Sequence, residues 1–372
     1  RHREEANMKT LGIIVCTVRR SPPFLEAGFF KRLALEGRRL GIGLLIFSPK
    51  HVDWNRLRVK GWTFSPEAKQ WIAGEHPLPT LVYDRCFYTD SNQFRDYKPF
   101  VQRLDQSPHV QLLGRGLVGK WDTHLILSRN PSLLPYLPET QKWEGPDKAL
   151  LFMDQHEKIL IKPNGGSHGK GVAAILQTAG GYQVHGRTRE NRLFHLSFKE
   201  ESSLKQWLNR FVANTRYVMQ PYLPLNTPEG RPYDLRMLIQ KNERGEWKTT
   251  GMAIRTGKPH GLTSNLHGGG RAEKAVPFLL RHFQRDQVSD IMEKIRWLAA
   301  VVPPHIERHH GRLLELGLDV GIDTDGRIWL LEVNSKPGRS VFVLSGQKEV
   351  FHQATLLPIR VAQAILNRQT GG

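Results

Sequence analysis

The stretch Leu316–Gly338, LGLDVGIDTDGRIWLLEVNSKPG, constrains this chain most, because it sets carboxylates into otherwise apolar strands. Leu318, Val320 and Ile322 alternate with Gly317, Asp319, Gly321 and Asp323. Thr324-Asp325-Gly326 then supplies a tight turn, and Ile328–Val333 returns as the partner strand. Side chains alternate with period 2, so Glu332 and Asn334 share one face, and a hairpin brings Asp319 level with them. Asp323 and Asp325, in or beside the turn, are expected to face water. Asp319 and Glu332 are not, since an unpaired buried carboxylate is too costly to keep without a partner. Two carboxylates and an amide carbonyl are hard oxygen donors. Such a set suits Mg²⁺ with part of its water shell retained and a phosphate completing the coordination.

Upstream, Ile159-Leu-Ile-Lys-Pro-Asn-Gly-Gly-Ser-His-Gly-Lys-Gly-Val172 reads as a short apolar strand ending at Lys162-Pro163, then a glycine-rich loop, then a second strand. Glycines at 165, 166, 169 and 171 let backbone N–H groups approach a phosphate closely, and such a loop can close as a flap. The pattern is not GxxxxGK[ST], and no helix obviously follows it. Lys120, at the start of a helical segment running to Arg129, can reach phosphates as a mobile point charge.

Lys120, the KPNGGSHGKGV loop, Asp319 and Glu332-Val-Asn334 together resemble the ATP-grasp superfamily, in its YheC/YheD-like branch from spore-forming bacilli, described as spore-coat associated. The resemblance covers roughly residues 115–345 and rests on the 13-residue step from Asp319 to Glu332, the ExN pair and their order after the glycine loop. It implies an α/β and α+β architecture in which two α+β subdomains clamp ATP, preceded by an N-terminal α/β domain. The expected divisions are an extension or tag remnant at 1–7, the N-terminal domain at 8–112, the flap-bearing subdomain at 113–215 and the metal-bearing subdomain at 216–372. The nucleotide side would use Lys120, Lys162, Gly165, Gly166, Ser167, His168, Gly169 and Gly171. The base would lie at the Arg216–Leu223 strand, against Met219 and the backbone of Gln220 and Tyr222. Asp319, Glu332 and Asn334 would hold Mg²⁺, two ions in the family. Arg255 and Asn265 match the Arg…Asn…GG arrangement of related ligases, with Arg236 as a further cation on the same face as Asp234, expected to pair with it.

The implied activity is a carboxylate–amine ligase working through an acyl phosphate, on small-molecule or peptide substrates or a cell-envelope or spore component. The alternatives are a phosphotransferase with a hydroxyl acceptor and a degenerate ATP-grasp serving as a coat structural protein. Net charge bears on partners: 54 Lys and Arg against 35 Asp and Glu give +19. An excess of that size suits nucleotide, acidic substrates or an anionic envelope or spore polymer. Specific nucleic-acid binding is not expected, because the cations are scattered and no DNA- or RNA-binding signature occurs. Cys16 and Cys86 read as buried reduced thiols, and no apolar run is long enough for a membrane span, so a cytoplasmic protein is expected.

The remaining pattern is conventional. Thr10–Val18, a helix over Phe24–Gly37 and the strand Ile42–Phe47 open as βαβ, and an antiparallel insertion begins at Leu57. Pro79–Asp84 is another buried strand, with Arg85 at its end either touching ligand or making a local salt bridge. Asp286–Val302 is a helix expected to stop at Pro303-Pro304, and Leu356–Leu366 a closing amphipathic helix. His305, His309 and His310 lack the convergence of a metal site.

Overall fold

The computed structural model describes residues 8–166, 169–261 and 270–371. The first sheet is built from β1 (Thr10–Ile14), α1 (Ala27–Leu40), β2 (Gly43–Asp53), β3 (Arg58–Ser65), β4 (Gln70–Pro77), β5 (Leu81–Asp84), α2 (Ser91–Gln106) and β6 (Gln111–Leu113). Its order is β4-β3-β2-β1-β5-β6, with β2, β1, β5 and β6 parallel and β3 and β4 an antiparallel extension. The parallel strands are apolar on both faces because both are covered. Phe30 and Leu33 of α1 pack on one face, Tyr97 and Leu104 of α2 on the other. α1 is displaced from the expected Phe24–Gly37, because Phe24 plugs the core from the preceding loop. Gly37 does not end the helix; a Cβ there would lie 2.6 Å from the Ile42 carbonyl, so its bareness serves close packing, and Gly41 is the cap.

The second sheet follows α3 (Lys120–Ser128) and contains β7 (Gln141–Lys142), α4 (Pro146–His156), β8 (Lys158–Pro163), β9 (Ala173–Thr178), β10 (Gly181–Arg187), β11 (Leu193–Phe198), α5 (Glu201–Val212) and β12 (Tyr217–Pro221). It is antiparallel throughout, in the order β11-β10-β9-β8-β12-β7. Alternation along β8 decides its two faces: Ile159 and Ile161 enter a core with Phe152, Leu204, Leu208 and Met219, while Lys158, Leu160 and Lys162 point the other way.

The third sheet holds β13 (Tyr233–Lys241), β14 (Trp247–Thr256), β15 (Arg271–Glu273), α6 (Ala275–His282), α7 (Arg285–His310), β16 (Glu315–Ile322) and β17 (Ile328–Asn334), with α8 (Ser340–Leu344) and α9 (Lys348–Gln369) after it. Its order is β15-β14-β13-β16-β17, all antiparallel. α7 runs through Pro303-Pro304 to His310 instead of stopping. Val302, Pro303, His305 and Ile306 are all buried there, and His305 Nε2 lies 2.7 Å from the Ile126 carbonyl, so tertiary packing outweighs the lost backbone bonds. Two segments pack across the expected divisions. Ile126 and Leu127 of α3 join the α7 core, and Ile359, Val361, Ala362 and Leu366 of α9 complete the first sheet's core beside α1. No helix among the described residues is long and apolar enough to cross a membrane.

A buried polar network ties the first and third sheets. Glu315 on β16 is fully buried and accepts from Tyr83, from Gln240 Nε2 at 2.8 Å and from Arg339 Nη2 at 2.6 Å. Arg85, 2% exposed, forks onto Glu26 at 3.0 and 2.6 Å and sets Nη1 3.6 Å from Glu315, so of its two expected roles it fills the salt bridge. Removing the shared anion leaves two guanidiniums buried without it. Glu315→Leu is expected to cost about 3–5 kcal/mol in urea denaturation, with Glu315→Gln, which keeps an acceptor, costing less; equal stability of Glu315→Leu and the parent would show the network to be energetically idle.

Candidate active site

The β16–β17 hairpin carries the acidic residues. Asp319 lies directly opposite Glu332, and Gly317 opposite Asn334, so all three oxygen-bearing side chains share one face. A bulge beside Asp319 shifts the phase by one beyond it, so that Val320 pairs with Leu330. The turn differs from expectation at Asp323, which is buried. Its carboxylate accepts from the Asp325 and Arg327 amides at 3.0 and 2.9 Å and from Trp329 Nε1 at 3.2 Å, so it organises the turn and does not face water.

β13 and β14 bring cations to the same face. Arg236 is opposite Asp319, and Arg255 is opposite Asp234. Asp234 therefore does not pair with Arg236, its neighbour two residues along the strand. Directly opposed residues on adjacent strands are closer, and they pair instead. Arg236 Nη2 sits 3.3 Å from Asp319 Oδ2, with Nε on Oδ1; Arg255 forks onto Asp234 at 2.9 and 2.6 Å and also reaches Asp319 at 3.1 Å. Burial alone would raise the Asp319 carboxyl, but the two guanidiniums overturn this and hold it down to about 2.

The second sheet supplies the opposing wall. Lys120 Nζ donates to the Gly166 carbonyl at 2.6 Å and stands 3.7 Å from Glu332, bridging the glycine loop and the hairpin. Lys162 projects from β8 beside them. Burial pushes its ammonium down to about 8, with Glu332 pulling it back up and Lys120 reinforcing the drop. Gly169 and Gly171 both have positive φ, at 72° and 70°, and the Gly171 carbonyl accepts from Tyr217 at 2.7 Å, anchoring the loop's return. Gly165 is exposed and Gly166 half-buried. Ser167, His168 and Asn265 lie outside the described residues.

Of the expected base contacts, the Met219 side chain is placed differently. Met219 is fully buried in the core behind the sheet and offers no surface to a ring. Gln220 Nε2 donates to Thr140 at 2.9 Å, tying the Pro138-Glu-Thr140 junction to β12. Tyr222 lies beneath Lys158 Nζ, 3.8 Å from the ring centre. The opposite face of the sheet carries Leu160, opposite Ala174, which is opposite His185. Burial, Lys158 and His195 lower the His185 imidazole, which favours the neutral ring at pH 7. The alternation that buries Ile159 and Ile161 could have identified Leu160 as facing the same way as Lys162.

Asn164 also carries no motif signal of its own. α3 starts after Gly119, which has no side chain to cap it. Asn164 acts from outside: its carbonyl accepts from the Lys120 amide and its Oδ1 from the Trp121 amide, each at 2.8 Å. One residue thus couples Lys120's helix to the glycine loop. Asn334 is the least engaged of the three acidic-face donors, with Oδ1 accepting only locally from the Lys336 amide at 2.9 Å.

Among the described residues no group of three or more His, Cys, Asp or Glu forms a metal-binding cluster. Two carboxylates and one amide on a single face are still an oxygen set that fits Mg²⁺ completed by water and phosphate, and the lysines opposite fit the phosphates. Binding a triphosphate should reprotonate Lys162. Calorimetry in buffers of differing ionisation heat is therefore expected to show proton uptake on Mg-nucleotide binding that is negligible at about pH 6 and approaches one proton above about pH 8. Lys162→Met should abolish the uptake; a pH-independent proton balance in the parent would contradict a depressed lysine.

Residues 109–365 match the model of the YheC/D-like ATP-grasp family. The chain is 32% identical over 349 residues to the endospore coat-associated protein YheC of Bacillus subtilis, covering 93% of this chain and 94% of that one. Its structure resembles D-alanyl-alanine synthetase A of Vibrio cholerae, with a TM-score of 0.58, 12% identity and coverage of 97% and 99% of the two chains. It also resembles a D-cycloserine synthetase, with a TM-score of 0.56, 15% identity and coverage of 96% and 99%. At these identities the two synthetases speak to the fold alone.

Proposed function

The chain belongs to the YheC/D-like ATP-grasp family, and from that premise we propose that it is an ATP- and magnesium-dependent carboxylate–amine ligase. The observation that carries this reading is the convergence of Lys120 and Lys162 on Glu332, with Asp319, Arg236 and Arg255 on the same hairpin face. Lysines, guanidiniums and carboxylates gathered in one place suit a phosphoryl-transfer site, which needs cations on the phosphates and oxygen donors for the metal.

In this reading Lys120, Lys162 and the amides of the glycine loop bind the triphosphate, and Asn164 holds Lys120 in reach of it. Asp319, Glu332 and Asn334 would hold Mg²⁺, one ion or two, whose charge offsets that of the phosphates. A substrate carboxylate oxygen attacks the γ phosphorus, the bond from phosphorus to the ADP oxygen breaks, and an acyl phosphate results. Arg255, oriented by its fork on Asp234, and Arg236 stabilise the charge on the moving phosphoryl oxygens. An amine nitrogen then attacks the acyl carbon, phosphate leaves with the bonding pair, and the amine's proton is released. No serine, cysteine or histidine nucleophile is required. Closure of the glycine loop keeps water from the acyl phosphate.

Amino acids, short peptides and cell-wall or spore-envelope fragments are the proposed substrates, by analogy with the synthetases the fold resembles. Association with the spore coat is proposed from the name of the Bacillus relative. ADP release is the test. It is expected to require a carboxylate and an amine together, and Glu332→Gln should lower it by roughly 10²–10³ or more. Release with a hydroxyl acceptor alone would indicate a phosphotransferase, and nucleotide binding without turnover on any acceptor a structural role.

A further inference from the structure

β11 ends the flap-bearing sheet, bonded to β10 on one side only. Exposed edges normally carry a guard: a charge, a proline, a bulge or very short length. The other edges have one. β6 and β7 span three and two residues and β15 three; β4 carries Glu75 and ends in Pro77; β17 carries Glu332 and a bulge. β11 has none. Leu193-Phe-His-Leu-Ser-Phe198 contains no proline or fully charged side chain and pairs with β10 in unbroken register, and Leu193 and Leu196 are 63% and 37% exposed.

We propose that this edge is a self-association surface, occupied by β11 of a second copy across a twofold axis at Leu196. The sequence is self-complementary in that register. Antiparallel pairing sets Leu196 against its own copy, Phe194 against Phe198, His195 against Ser197 and Arg192 against Glu200. The apolar pairs fall on one face, continuing the layer in which Phe194 and Phe198 already pack on Trp207, and an ion pair closes each end. Arg192 and Glu200 are both exposed and free to meet a partner. Slipping by one position in either direction opposes Phe194 and Leu196 to polar residues, and in one direction also sets Arg192 against Lys199, so the apolar face selects the register. The joined sheet is continuous, six strands from each copy, and it is the sheet that bears Lys162 and the glycine loop. A single strand pair is a small interface, below about 1,200 Å², so the association is reversible and concentration-dependent.

Sedimentation velocity of the full chain over about a hundredfold range of concentration tests this. The parent should pass from monomer to dimer. Leu196→Lys, which places a charge on the axis, should stay monomeric throughout with an unchanged circular dichroism spectrum. Arg192→Glu should move the midpoint to about tenfold higher concentration, two exposed ion pairs having become repulsive contacts, and the double variant Arg192→Glu/Glu200→Arg should restore it. A parent that stays monomeric, including one whose edge takes up an extended peptide instead, overturns the proposal. So does a Leu196→Lys variant that dimerises like the parent, or a charge swap that fails to recover what the single change lost.

Discussion

A carboxylate in the middle of an apolar sheet is tolerable only when cations hold it, and Asp319 is held by two. Arg236 comes from the strand beside it, and Arg255 from one strand further, itself steadied by Asp234. The arrangement fixes side chains from three strands on one face and leaves a strongly ionised carboxylate facing the opposite wall. Two guanidiniums stand here against three carboxylates, Asp234, Asp319 and Glu332, and only Lys120 and Lys162 opposite tip the balance to positive, apt for phosphoryl oxygens. Charge balance is therefore set for a ligand that brings both a metal and phosphates, in which Asp319 shares its oxygens among them. Glu332, half-buried and ion-paired among the described residues with Lys120 alone, is the freer of the two acids.

The first sheet meets this site through the loop after the hairpin. Ser335 Oγ accepts from the Leu117 amide at 3.0 Å, and Lys336 Nζ reaches across to Asp84 at 3.3 Å and to the Cys86 carbonyl at 2.6 Å. Those contacts lie at the carboxyl end of β5, where parallel sheets commonly present ligand-binding groups. Glu315, four residues before Asp319 on the same strand, roots the other side of the junction. Hairpin and first sheet are thus connected by buried charge on both sides of the acidic face. Opposite it lies the glycine loop, whose described part is fastened at Lys120, Asn164 and Tyr217.

Much of this was legible in the residues themselves. The hairpin announced itself because Gly326 breaks two apolar runs whose acids fall in phase, and β8 because its lysine follows an alternating apolar run into glycines. Both strands of that hairpin followed from period-2 patterning alone. What stayed hidden depends on distant partners. Tyr83 and Glu315 are 232 residues apart, and nothing in either neighbourhood marks them as joined. Pro303-Pro304 looks like a stop until the packing of Ile306 and His305 is known. Phe24 and Met219 were misjudged for one reason: local apolar spacing does not say whether a side chain fills a core, starts a helix or meets a ligand. Asn164 escaped because its work is to cap a helix that begins 44 residues earlier in the chain.

The central claim is that one metal-bound triphosphate draws the hairpin and the lysine wall together. It is tested most directly by anomalous diffraction from crystals grown with Mn²⁺ and a nonhydrolysable ATP analogue. The account predicts a manganese peak at inner-sphere distance, about 2.1–2.2 Å, from oxygens of Asp319 and Glu332, with the nucleotide's phosphates against Lys120 and Lys162. A peak on an unrelated surface, or a nucleotide bound away from both lysines, would contradict it.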